Sequence, residues 1–73
     1  MALDGGSSGL KTISKVISKA KKLLKVKGCL YIEIGNGQSH MVSSMLFKNG
    51  FRLIKKIFDY KKTIRCIMST KIN

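Results

Sequence analysis

The stretch YIEIGNGQ, residues 31–38, has residue types and spacing typical of a nucleotide-binding loop. An apolar run leads to Glu33, and Gly35 and Gly37 then precede a predicted helix, where glycines let backbone N–H groups approach a phosphate. His40 stands where the G-x-G-x-x-G pattern requires its third glycine. The chain also supplies too few strands to build a cofactor crevice. We therefore predict a strand-to-helix turn here rather than a cofactor loop.

Other residues that could do chemistry are scattered. Asp59 follows a later predicted strand, where an acid could accept a hydrogen bond from a ribose hydroxyl. Ser39 and His40 are neighbours in sequence, but a nucleophile and its base need an orienting acid, and the only acids are Asp4, Glu33 and Asp59. Three isolated carboxylates suggest no acid and base pair. We predict no catalytic, cofactor-binding or metal-binding residue in this chain.

The cysteines point to structure rather than to reactivity. The chain has 2 cysteines, Cys29 and Cys66, far apart, and 1 histidine, which favours neither a zinc site nor a disulfide framework. We predict that both are small buried apolar residues.

The first residues lack the basic and apolar regions of a signal peptide, and no window is apolar enough for a membrane span. The predicted compartment is the cytoplasm.

The charge is strongly basic, with a net charge of +12 from 15 Lys+Arg against 3 Asp+Glu. Such a balance attracts nucleic acid, anionic membrane or acidic protein. The abundance of Lys and Ile also fits the codon bias of an AT-rich genome. Nucleic-acid recognition usually adds arginines and stacking aromatics, whereas here Arg52 and Arg65 stand apart. Both interpretations of the charge stay open.

Two helices are predicted from apolar spacing and end signals. Residues 1–9 are a Gly-rich loop by composition. A one-sided helix follows over about 10–25, with Ser8 as a candidate N-cap and Gly28 as the residue that ends it. A second helix is expected over about 38–48, ending at Asn49-Gly50. The inward side chains are predicted to be Leu10, Ile13, Val16, Ile17, Ala20, Leu23 and Leu24 in the first helix, and Met41, Val42, Met45 and Leu46 in the second. Lys11, Lys15, Lys19 and Lys22 form a stripe on the opposite face of the first helix, either solvated or available to a membrane surface or a phosphate backbone.

Three strands complete the predicted fold. Residues 29–35 are apolar on both faces, as in a parallel sheet, and 51–58 and 64–69 form an antiparallel hairpin around the turn DYKKT. The fold class is α/β, helix-strand-helix followed by an antiparallel hairpin, in one domain over 1–73.

The order of these segments resembles the C-terminal part of the release-factor glutamine methyltransferases. The family carries an Ala-Leu-x-Gly-Gly-x-x-Gly-Leu segment, then Glu-x-Gly with a following Gln, a Gly-Phe pair, and a closing Asp and Arg. The matching residues here are Ala2, Leu3, Gly5, Gly6, Gly9, Leu10, Gly28, Leu30, Glu33, Gly35, Gln38, Gly50, Phe51, Asp59 and Arg65. Lys62 and Ile64 stand where the family tends to have Gly and a polar residue.

The resemblance implies a partial Rossmann-like methyltransferase sheet, in which the strand at 64–69 inserts antiparallel between 29–35 and 51–58. It leaves 29–35 as an exposed edge strand that could self-associate. The family uses S-adenosylmethionine to methylate the Gly-Gly-Gln glutamine of class-I peptide release factors. Its cofactor loop and Asn-Pro-Pro-Tyr motif lie upstream of the Ala-Leu segment, and this chain has no proline.

The resemblance therefore favours a truncated relative that binds no cofactor alone and is not catalytic alone. Its expected partner is a release factor or a missing N-terminal half-domain. The alternative is a small basic binding module for nucleic acid or an anionic membrane.

Overall fold

The computed structural model describes residues 2–4 and 9–72, with side chains from Gly9 onward. Along the chain, two helices alternate with the first strands of one sheet, and two further strands follow the second helix. The elements are β1 (Ala2–Asp4), α1 (Gly9–Leu23), β2 (Cys29–Glu33), α2 (Ser39–Lys48), β3 (Phe51–Phe58) and β4 (Ile64–Lys71). The predicted N-cap Ser8 and the family-motif glycines Gly5 and Gly6 lie outside the described residues.

Helix α1 has the one-sided pattern that its apolar spacing predicts. Ile13, Ile17 and Ala20 are buried, because residues three and four apart share one face. The helix ends at Leu23, earlier than expected, and Leu23 is exposed rather than inward-facing. Gly28 does not have the left-handed backbone of a helix-ending residue. That conformation belongs to Lys27, with φ of 75°.

Gly28 is instead needed for a close backbone approach. A Cβ at this position would lie 2.9 Å from the carbonyl oxygen of Lys25. The Gly28 N–H donates to the same oxygen at 2.9 Å. The Gly28 carbonyl accepts from the Lys71 N–H at 2.9 Å and from Thr70 Oγ1 at 3.1 Å. Gly28 therefore attaches the turn between α1 and β2 to the end of β4.

The hairpin and the inserted last strand are confirmed. Strand β4 pairs antiparallel with both β2 and β3, so β2 and β3 run parallel to each other with β4 between them. The register along β3 shifts between Leu53 and Lys55, which leaves Ile54 without a partner in the ladder. The molecule is therefore mixed α/β, with a three-stranded antiparallel sheet as its main part.

The predicted loop over residues 1–9 is wrong at Ala2–Asp4. These residues form β1, which pairs parallel with Tyr31–Glu33 and gives the full strand order β1-β2-β4-β3. Strand β2 is consequently not an exposed edge. Composition indicated a loop because Gly and Ser disfavour strands. Without β1, however, the outer edge of β2 would carry unpaired N–H and C=O groups, and the extended segment Ala2–Asp4 pairs with them.

Helix α2 has nearly the predicted bounds. Val42 and Leu46 are buried, whereas Met41 is exposed and was wrongly expected to face inward. Asn49 closes the helix with its backbone N–H and with Nδ2, which donates to the Met45 carbonyl at 2.7 Å. Gly50 follows with φ of 82°, a left-handed conformation that glycine adopts at little cost.

The core lies between the two helices and one face of the sheet. Cross-strand pairs Leu30–Ser69 and Ile32–Ile67 point to the helices and are buried. The Ser69 hydroxyl donates to the Leu30 carbonyl at 3.2 Å, which satisfies this buried polar group. The opposite side, which we call the open face, carries partly exposed pairs. The core consists of Ile13, Ile17, Ala20, Leu30, Ile32, Ile34, Val42, Leu46, Phe51 and Ile67.

Candidate functional site

The carboxyl end of β2 and the turn between β3 and β4 together form the candidate site, since they hold most of the polar residues singled out in the sequence. Ile34 follows β2, and its N–H donates to the Arg65 carbonyl at 2.9 Å, which joins the two turns. Carboxyl ends of strands are the usual ligand positions in open α/β sheets. We call this region the carboxyl end.

The glycine stretch after β2 is a turn closed by its own side chain. The Gly35 N–H donates to Gln38 Oε1 at 2.7 Å, and the Gln38 N–H donates to the Gly35 carbonyl at 3.2 Å. Gly37 has φ of 82° and supplies the left-handed step. The Gln38 carbonyl then accepts the Val42 N–H as α2 begins. The predicted strand-to-helix turn is present, and the Gly35 N–H is already used within it.

The hairpin turn is organised by Asp59. Its Oδ1 accepts the N–H groups of Lys61 at 2.8 Å and Thr63 at 3.0 Å, and its Oδ2 accepts Arg65 Nε at 2.8 Å. The hydrogen bond from the Thr63 N–H and the Arg65 guanidinium hold the pKa of the Asp59 carboxyl below its ordinary value of 3.8. Because both oxygens serve the turn, Asp59 is a poor acceptor for a ribose hydroxyl.

Lys62 is one of the two departures from the family pattern, and its backbone conformation shows how it differs from an ordinary lysine. It has φ of 64°, in the left-handed region that L side chains rarely adopt. The family tends to have glycine at this position, and the backbone here has the conformation that glycine favours. The turn keeps its shape despite the lysine because Asp59 caps it from inside.

An open depression of about 330 Å³ lies between the two turns. Its lining offers backbone groups, small polar side chains and one cation, without a paired acid and base. Ser39 lies in it, whereas His40 is exposed on α2. Within residues 2–4 and 9–72, no group of three His, Cys, Asp or Glu residues could hold a metal ion. The lining residues are Gly35, Asn36, Gly37, Ser39, Phe58, Lys62, Thr63 and Ile64.

The two cysteines are free and only partly buried, contrary to the prediction that they are core residues. Both lie on the open face, where Cys29 pairs with Thr70 and Cys66 pairs with Glu33. Partial burial, and then the nearby Glu33 carboxylate, raise the pKa of the Cys66 thiol. A raised pKa lowers the thiolate fraction, so Cys66 is not an activated nucleophile.

All three acidic residues of the chain are at the carboxyl end. Asp4 is in register with Glu33 at the end of β2, and Asp59 is in the hairpin turn. The opposite end of the sheet carries cations and exposed apolar residues. Sequence reasoning missed that surface, because its members come from segments far apart in the chain.

No helix among the described residues is long and apolar enough to cross a membrane.

Comparisons with curated proteins agree with the resemblance. The chain is 38% identical over 58 residues to the release factor glutamine methyltransferase of Thermodesulfovibrio yellowstonii, which covers 80% of this chain and 21% of that protein. It is 32% identical over 71 residues to the Clostridium acetobutylicum protein of the same name, covering 97% of this chain and 25% of that protein. No protein-family profile matches the chain. No solved structure gives a significant match.

These matches place the chain among relatives of the protein methyltransferases. More narrowly, it is a relative of the release factor glutamine methyltransferases, as its residues predicted, and the short match is consistent with their C-terminal part. The chain spans only about a fifth to a quarter of the length of these relatives.

Proposed function

We propose that this chain is a partial methyltransferase domain of the release-factor glutamine type, which does not catalyse alone. The observation that carries the proposal is the sequence match over 80% of the chain to one such protein. The antiparallel β4 between two parallel strands agrees with the Rossmann-like methyltransferase sheet that the resemblance implies. We propose in addition that residues 1–73 form a single partial domain.

The residues at the carboxyl end support a structural role for this part of the domain. Gln38, Asp59 and Arg65, which carry the resemblance, bond to their own turns. S-adenosylmethionine needs free acceptors for its ribose hydroxyls and free donors for its carboxylate. Asp59 and the Gly35 N–H are both engaged within their own turns, so neither of these two groups is free to hold that cofactor. The complete enzyme would bind it elsewhere and act on a release factor in the cytoplasm.

The test has two arms. Isothermal titration of S-adenosylmethionine into the 73-residue chain should show no binding. Co-expression with the Thermodesulfovibrio yellowstonii relative, deleted for its matching segment, should give a complex that transfers a labelled methyl group to a release factor. Micromolar cofactor binding by the chain alone would overturn the claim of inactivity. A folded chain that forms no complex would overturn the claim that it is part of such a domain.

A pair of variants makes the complementation arm specific. Met68 lies partly buried on the open face, where the rest of a domain would pack, and it pairs with Tyr31. Met68→Lys should weaken the complex, because a charge buried without a partner is costly. Tyr60→Ser changes a residue that is 91% exposed and should leave the complex intact. Equal behaviour of the two variants would contradict packing on this face.

The alternative proposal is a small basic binding module for nucleic acid or an anionic membrane. It is favoured by the exposed stripe of lysines along α1. Salt separates the two proposals, because binding to a polyanion weakens steeply as salt is added, whereas completion of a domain depends mainly on apolar burial. The stripe residues are Lys11, Lys15, Lys19 and Lys22.

A further inference from the structure

The end of the sheet opposite the candidate site is built from several chain segments held together by backbone hydrogen bonds. The Lys27 N–H donates to the Lys71 carbonyl at 2.8 Å, and the Ile72 N–H donates to the Gly50 carbonyl at 2.9 Å. These bonds join the turn after α1, the end of β4 and the residues after α2. We call this region, residues 21–28, 47–50 and 71–72, the amino end, because β2 and β3 begin there.

Large apolar side chains are exposed at the amino end. Leu23 is 65% exposed, Val26 is 56%, Phe47 is 79% and Ile72 is 49%. Scattered exposed apolar residues are ordinary on a protein surface. These four come from the end of α1, the following turn, the end of α2 and the residue after β4, so the fold gathers residues that are distant in sequence. The exposed apolar side chains therefore lie on helix ends and turns at one end of the sheet.

Cations accompany these apolar side chains, and no acidic residue does. The three acids of the chain all lie at the carboxyl end. The Lys71 ammonium donates to the carbonyls of Lys21 and Leu24, which stabilises the C-terminal end of α1. Arg52, also exposed, pairs with Thr70 close to this end. The exposed lysines of the amino end are Lys21, Lys22, Lys25, Lys27 and Lys48.

This combination favours a lipid surface over RNA or DNA. Nucleic-acid sites that track single strands use several aromatics for base stacking, and base recognition uses arginines that form paired hydrogen bonds. The amino end offers one aromatic, Phe47, and its cations are almost all lysines. Lysines beside exposed aliphatic side chains suit an anionic bilayer, because the apolar groups enter the interface while the ammonium groups reach the headgroups.

We propose that the amino end docks the protein on an anionic phospholipid surface. Leu23, Val26 and Phe47 enter the interface, and the surrounding lysines contact the negatively charged headgroups. The docking is peripheral. The carboxyl end then faces away from the lipid, so this interaction does not compete with the candidate site. It does not depend on the proposed methyltransferase role, and it assigns membrane binding to the amino end rather than to the lysine stripe of α1.

The test is co-sedimentation of the whole chain with vesicles of phosphatidylserine and phosphatidylcholine in about equal parts. Binding is expected to these vesicles and not to phosphatidylcholine alone, and it should weaken as salt rises. Failure to bind the mixed vesicles would overturn the proposal. So would equal binding to both kinds of vesicle.

Matched charge variants locate the contact. Lys25→Gln combined with Lys48→Gln, which leaves the lysine stripe of α1 intact, should weaken binding about 30-fold, because each lysine near an anionic surface contributes roughly a fivefold gain. Lys55→Gln combined with Lys61→Gln removes the same charge away from the amino end and should have little effect. Equal losses from the two pairs would mean unspecific attraction by the net charge of +12, and would overturn the proposal.

A second pair of variants tests apolar insertion. Phe47→Ser should weaken vesicle binding roughly tenfold, because it removes a large apolar group from the interface. Tyr60→Ser, at the hairpin turn, should not. Circular dichroism should show an unchanged fold for both, since both side chains are exposed. Binding to polyuridylate tests the competing explanation, which is RNA binding. Tighter binding to this RNA than to vesicles, together with equal RNA affinity of Phe47→Ser and the parent chain, would overturn the lipid proposal.

Discussion

The carboxyl end and the amino end of the sheet use their polar residues in different ways. At the carboxyl end, Gln38 and Asp59 bond to backbone N–H groups of their own turns, and Arg65 adds an ion pair of 2.8 Å to Asp59. At the amino end, five lysines are exposed beside apolar side chains with no acid near them. The polar side chains of the carboxyl end are engaged within their own turns, whereas the lysines of the amino end are exposed and could contact a partner.

This contrast bears on how sequence resemblance should be interpreted. The residues that carry the resemblance include those that build turns, and turn-building does not require the chain to perform the family's chemistry. Of the residues that carry the resemblance, only Gly28 and Gly50 lie at the amino end.

The largest expected effect is at the amino end of β3. Phe51 is buried and Phe58, at the other end of the strand, is 55% exposed. Phe51→Ala should lower the free energy of unfolding by about 3–5 kcal/mol, because it leaves a cavity in the core. Phe58→Ala should lower it by less than about 1 kcal/mol. Urea titrations followed by circular dichroism would measure both. Similar losses would mean that the hairpin end is covered in solution.

A smaller effect of opposite sign is expected in the hairpin turn. Lys62→Gly should raise the free energy of unfolding by about 0.5–1 kcal/mol, since glycine adopts the left-handed backbone without steric cost. Lys27→Gly should do the same at the amino end, where φ is 75°. The control is Lys61→Gly, because Lys61 lacks a positive φ and gains nothing from the change. Stabilisation by the control as well would refute the backbone explanation.

The smallest effect is a pH dependence confined to the carboxyl end. Since the pKa of Asp59 is lowered in the folded chain, its stabilising contribution is fully present above the ordinary value of 3.8 and is lost as pH falls through the lower folded pKa. Asp59→Asn should therefore melt at a lower temperature than the parent chain at neutral pH, and this difference should shrink in strong acid.

Thermal melts recorded from neutral to strongly acidic pH would check this. Glu33→Gln serves as the control at the same end, because Glu33 has no salt bridge among the described residues. A difference between Asp59→Asn and the parent chain that persists unchanged in acid would contradict the assignment.

The sequence by itself determined the order of the main elements. Apolar residues at helical spacing predicted α1 and α2 to within about two residues, and Asn49-Gly50 predicted where α2 ends. The hairpin followed from a polar turn too short for a crossover. These features depend on interactions between near neighbours in the chain, and periodicity reports such interactions directly. The resemblance added the position of β4, which periodicity could not supply.

Only the tertiary structure decided which surfaces are covered. The edge of β2 is paired by Ala2–Asp4, although the local composition predicted a loop, because pairing depends on a strand distant in sequence. Leu23 and Met41 fit the apolar pattern yet are exposed, and the cysteines lie on the open face rather than in the core. The amino end exists only after folding, since burial and charge segregation arise from contacts between distant segments that no local pattern specifies.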